Sequence, residues 1–127
     1  MAKILIIDDE VTIRELFRFV FEDAGHEVLL AGNGWQALDL LKAGVPDLML
    51  VDVTMPEMNG RDFIAELKRR AALDARLANI PFVVMTGENY IDIELNGVFS
   101  SAPGFVCFFP KMTPPEKVLE KAEEVIG

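Results

Sequence analysis

Two short runs, Ile4-Leu5-Ile6-Ile7 and Leu48-Met49-Leu50-Val51, contain no polar side chain, and each runs directly into aspartate. A strand with one wet face alternates apolar and polar residues, whereas a strand covered on both faces is apolar throughout. These runs therefore read as central strands of a parallel sheet. Three more candidates follow the same rule: Val28–Ala31, Phe82–Met85 and Phe105–Phe109.

Amphipathic helical patterns separate the runs. Ile13, Leu16, Phe17, Val20, Phe21 and Ala24 recur at three- and four-residue steps, and Gly25 follows as a stop. A second pattern spans about Trp35 to Ala43 and ends at Gly44, and a third begins near Arg61 with Phe63, Ile64 and Leu67. Thr113 and Pro114 read as the cap and first turn of a last helix, whose apolar positions are Val118, Leu119, Ala122, Val125 and Ile126. The crossover between Gly87 and Gly104 is different. It carries Asn96-Gly97 and Ser100-Ser101-Ala102-Pro103-Gly104, which are breakers, and a short or irregular fourth helix is expected there.

Strand–helix alternation with right-handed crossovers gives an α/β fold, a doubly wound sheet with helices on both faces. Five strands suit the flavodoxin-like parallel order 2-1-3-4-5, whose switch point lies between the first and third strands. Those strands deliver Asp8-Asp9 and Asp52 to one sheet edge. With 127 residues, 51% hydrophobic, the chain has enough apolar content for one domain, residues 1–127.

A net charge of −9 argues against direct contact with nucleic acid phosphates. No apolar stretch has the length of a membrane span, and Met1-Ala2-Lys3 leads straight into a strand without a signal-peptide pattern. Cys107 is the only cysteine and lies inside an apolar run, where it reads as a small core residue. A reducing cytoplasm is the expected compartment.

Carboxylates gathered at one point hold their protons more tightly unless a cation offsets them. A hard divalent ion with oxygen ligands does so, and Mg²⁺ (or Mn²⁺) is suited to a site shared with a phosphoryl group. Asp52 would then be a carboxylate nucleophile. Thr86 can offer a hydroxyl, Gly87 leaves room beside it, and Lys111 can offer an ammonium.

The ordered set Asp8-Asp9, Asp52 with Met55-Pro56-Glu57-Met58-Asn59-Gly60, Thr86-Gly87 and Lys111 resembles the receiver domain of bacterial two-component response regulators, in its single-domain chemotaxis-type form. The resemblance covers essentially the whole chain. It implies that Asp52 accepts a phosphoryl group from a histidine kinase or histidine phosphotransfer protein. It further implies that Asp9 ligates Mg²⁺ directly, that Asp8 acts through a coordinated water, and that the Thr54 backbone carbonyl completes the set. Thr86 and Lys111 would contact the phosphoryl group, and Phe108 matches the family's switch aromatic. Output would run through protein contacts, and catalysis would be limited to the protein's own phosphorylation and dephosphorylation.

The chain departs from the family pattern in two places. Met112 stands where proline usually follows the lysine, often across a cis peptide, and a cis bond before a non-proline costs about 3 kcal/mol. The fourth crossover is also interrupted. Both keep a phosphorylation-independent binding scaffold as the alternative. A haloacid-dehalogenase-like phosphatase would need a second acid two residues after Asp52, and Thr54 stands there. A flavodoxin would have to seat phosphate against Asp8-Asp9-Glu10, which repels it. Phe99, Phe105, Phe108 and Phe109 are expected to leave an apolar partner surface on an edge strand. His26, after Gly25, reads as a turn residue and not as a phosphodonor.

Overall fold

The apolar runs pair into one parallel sheet, in the order β2-β1-β3-β4-β5. The structure, a computed structural model, describes residues 2–87 and 97–127. Its strands are β1 (Lys3–Ile7), β2 (Glu27–Ala31), β3 (Leu48–Asp52), β4 (Phe82–Thr86) and β5 (Phe105–Pro110). The helices among the described residues are α1 (Val11–Asp23), α2 (Gly34–Ala43), α3 (Gly60–Ala71) and α4 (Pro115–Ile126), with a short 3₁₀ turn at Ala75–Leu77.

Strand alternation sorts the apolar runs into two cores. Leu5, Ile7, Met49 and Val51 pack on one face with Leu38, Leu41, Phe63 and Ile64 of α2 and α3. Ile4, Ile6, Leu48 and Leu50 pack on the other with Phe17, Phe21, Val118 and Ala122 of α1 and α4. Because β1 from Ile4 onward, β3 and β4 are buried along both faces, polar residues are confined to the ends of these strands. Each fully buried large side chain contributes roughly 1.5–3 kcal/mol of transfer free energy.

Helix boundaries follow local chemistry. Asn33 and Asn59 are the N-caps of α2 and α3, accepting from the backbone N–H groups of Gln36 and Asp62. Both helices therefore begin one residue earlier than the apolar pattern indicates. The last helix begins later than expected. Pro114 is its cap and Pro115 its first residue, while Thr113 donates its N–H to the Pro110 carbonyl in a preceding turn. Leu16 is 46% exposed and stands off the buried stripe of α1, which runs through Phe17 and Phe21. The expected fourth helix falls partly on residues 88–96, outside the described residues. Residues 98–101 form turns closed by Ser101 N–H to the Gly97 carbonyl and Ala102 N–H to the Phe99 carbonyl.

Two glycines are required by close packing. A Cβ on Gly60 would lie 2.4 Å from the carbonyl oxygen of Asp52, and one on Gly104 would lie 1.9 Å from that of Ile80. Gly60 thus lets the start of α3 tuck under the end of β3. The expected Phe surface is smaller than the sequence implies. Phe99 is completely buried, against the rings of Phe82 and Phe108, because the turn preceding β5 folds it inward. Phe105, Phe108 and Phe109 are half-buried.

Candidate functional site: an acidic pocket at the sheet edge

Strand register assembles the pocket. Ile7 pairs with Val51, Asp52 with Met85, and Thr86 with Pro110, so the C-terminal ends of β1, β3, β4 and β5 lie side by side. Asp8 leaves β1, Asp52 ends β3, Thr86 ends β4 and Lys111 leaves β5. Lys111 is held there by its backbone N–H, which donates to the Thr86 carbonyl at 3.0 Å.

Asp52 is only 1% exposed. Its Oδ1 receives the Lys111 ammonium at 3.1 Å and the Thr54 N–H at 3.4 Å. Its Oδ2 is buried with no hydrogen-bond partner among the described residues. An orphaned carboxylate oxygen is costly in a dry setting. Burial, followed by repulsion from Asp8, raises the Asp52 carboxyl from its ordinary 3.8 to about 7, against the opposing pull of Lys111. Asp8 is also buried, and its carboxyl is likewise pushed up, first by burial. Lys111 is pushed up too; partial burial works against the charged form, but the contacts with Asp52 outweigh it.

Asp8, Asp9 and Glu10 offer carboxylate oxygens lying within 4.8 Å of one another, the first buried and the other two exposed. The Asp8 carboxylate caps the chain by accepting the Glu10 N–H at 2.9 Å, and Arg14 donates to the Asp8 carbonyl at 2.8 Å. Two buried acids with raised proton affinity and an orphaned oxygen fit a hard divalent cation, which would relieve both costs. The donor set is all oxygen, with no histidine or thiolate, which suits Mg²⁺ or Mn²⁺ over softer metals.

The structure brings together Asp8, Asp52, Thr86 and Lys111 as the sequence indicates. Asp9 and Thr54 are exposed beside them, and Gly87 is exposed next to Lys111, whose Cδ would lie 3.9 Å from a Cβ at that position. The Lys111–Met112 peptide is trans, like every peptide among the described residues. Replacing the usual proline by methionine therefore does not displace the lysine from Asp52. Phe108 lies one strand outward, with its ring 4.9 Å from Phe105 and 6.0 Å from Phe99. The sequence places Glu10 among the acids at this edge but does not reveal its contact with the Lys111 ammonium, nor that of Arg14 with the Asp8 carbonyl, since contacts of this kind depend on where loops meet. His26 is more than a turn residue. It accepts the Ala2 N–H at 3.2 Å and pairs with Glu123 at 3.1 Å, on α4. Cys107 is half-buried, and burial pushes its thiol up, away from reactivity.

A five-stranded parallel sheet in the order 2-1-3-4-5, with acids and a lysine gathered at its switch point, defines the flavodoxin-like doubly wound class. The family model "Response regulator receiver domain" matches residues 4–123. The chain belongs to that family. It is 41% identical to sporulation initiation phosphotransferase F of Bacillus subtilis over 91 residues, covering 72% of this chain and 68% of the relative. It is 31% identical to Protein PilH of Pseudomonas aeruginosa over 127 residues, covering 100% and 99%. Among solved structures it is similar to the chemotaxis response regulator CheY4 of Vibrio cholerae, at 28% identity and a TM-score of 0.83, with 98% of each chain covered. No helix among the described residues is long and apolar enough to cross a membrane.

Proposed function

We propose that residues 1–127 form one receiver domain that accepts a phosphoryl group on Asp52 and signals through protein contacts. The observation that carries this reading is the buried Asp52 carboxylate, tied through one oxygen to Lys111 and, among the described residues, without a hydrogen-bond partner at the other. A merely structural aspartate would have both oxygens partnered or wet.

The donor would be a phosphohistidine of a kinase or phosphotransfer protein. The Asp52 oxygen attacks phosphorus, an O–P bond forms and the P–N bond breaks. The imidazole nitrogen leaves with the bonding pair and regains its proton from solvent. Such a transfer depends on positioning and charge neutralisation more than on covalent help from the protein. Lys111 moves its charge from the carboxylate to the phosphoryl oxygens, and the Thr86 hydroxyl donates to another. Asp8, Asp9, Asp52 and the Thr54 carbonyl would hold Mg²⁺, and the bound ion would supply positive charge to offset that of the transferred group. Gly87 keeps the approach open.

Movement of Thr86 toward the phosphoryl group would draw Phe108 inward and alter the β5 surface for an output protein. Hydrolysis of the acyl phosphate by water returns the resting state, so turnover is confined to the protein's own modification. The cytoplasm, where ATP charges the donor, is the compartment this reading implies.

Incubation with Mg²⁺ and acetyl phosphate, followed by intact-mass measurement, tests it. The expected result is one added phosphoryl group, absent in Asp52→Asn and in chelator. No addition to the wild type, under conditions that label another receiver, would favour the phosphorylation-independent scaffold.

A further inference from the structure

Glu10 occupies the N-cap of α1 but does not cap it. Glutamate is not a favoured cap residue, and the side chain makes no hydrogen bond to the helix's first turn. Its carboxylate instead reaches across the sheet edge to the Lys111 ammonium at 3.3 Å. That ammonium is simultaneously 3.1 Å from Asp52. One cation therefore bridges two carboxylates, one buried and one 54% exposed.

We infer that Glu10 is a positioning residue that shares Lys111 with Asp52 and so restrains its transfer to an incoming phosphoryl group. The inference rests on Asp52 being the phosphoacceptor. The physical argument is competition. Lys111 must release its resting partners to pair with phosphoryl oxygens, and Glu10 is the partner that phosphorylation does not consume. The Glu10 end of the bridge is wet, so its strength is that of an exposed ion pair. Its removal is expected to alter a rate by about two- to fivefold and not by orders of magnitude.

A double-mutant cycle separates this role from general charge effects. Labelling by acetyl phosphate is followed at saturating Mg²⁺ in the wild type, Glu10→Gln, Lys111→Met and the double variant. Glu10→Gln is expected to label about two- to fivefold faster than the wild type, and the gain should vanish when Lys111 is methionine. A gain that survives in the Lys111→Met background would show that Glu10 acts by repelling the donor, and would overturn the inference. So would equal rates for the wild type and Glu10→Gln.

If Lys111→Met abolishes labelling, urea unfolding of the same four proteins in chelator decides. Coupling between the two positions is expected there, and additive effects would overturn the inference. A wild type that labels while the cycle shows no coupling removes only the role of Glu10. A wild type that does not label removes the phosphoacceptor reading and this one with it.

Discussion

Raising the pH of the metal-free protein from about 5 to about 7.5 should destabilise it, because Asp52 must then ionise inside the fold. The folded-state carboxyl titrates at about 7 against an ordinary 3.8, so the native state holds this proton more tightly than the unfolded chain. Where the native state binds more protons, stability falls as pH rises. The fall begins near the unfolded value and ends near the folded one. Integrating the two titrations over the stated window gives a loss of about 2.5 kcal/mol. Asp8, whose carboxyl is also raised by burial, adds a fall of the same sign, whereas carboxylates held low by arginines behave in the opposite way but do not interfere. Glu66 is pulled down to about 2, first by Arg69 and then Arg70, and Asp74 is lowered first by Arg76. Their contribution is complete above the unfolded carboxylate range and is lost only as pH falls further. Urea denaturation in chelator at the two pH values measures the difference. Asp52→Asn should reduce it to below about 1 kcal/mol, and Mg²⁺ should stabilise the wild type more at the higher pH. A wild type equally stable at both pH values, or a variant that retains the full slope, would refute the assignment of this cost to Asp52.

Three substitutions test other parts of the structure. Gly60→Ala drives a methyl into the Asp52 carbonyl, where the obstacle is backbone and cannot swing away; a loss of about 3 kcal/mol is expected in a thermal or urea melt. Glu57 sits at a φ of 65°, a left-handed conformation that costs a residue bearing a Cβ. Glu57→Gly should therefore stabilise by up to about 1 kcal/mol in urea unfolding, less whatever its contact with Asn33 contributes. Phe99→Ala removes a completely buried ring and should cost about 3–5 kcal/mol, whereas an exposed Phe99 would lose little.

What the sequence determined by itself is the sheet and its chemistry. Continuous apolar runs mark strands covered on both faces, and a parallel sheet with crossover helices can close around them in few ways. A polar residue at the end of such a run must emerge at the C-terminal edge, so Asp8, Asp52 and Thr86 are legible as neighbours from the sequence. Helix ends were less legible. Asn33 and Asn59 have the cap signature, but apolar periodicity registers a helix only from its first buried residue.

Tertiary structure decided the contacts that join segments distant along the chain. The Lys111–Glu10 pair spans 101 positions and the His26–Glu123 pair spans 97. Neither has a local signal, because each arises from two loops or helix ends brought together by strand order. The inward turn of Phe99 has the same origin, since an edge-strand aromatic reads alike whether a preceding turn folds it under or leaves it wet. The raised proton affinity of Asp52 also belongs to this level. It comes from burial and from Asp8, and neither the loss of water nor the approach of a second carboxylate exists until the strands have paired.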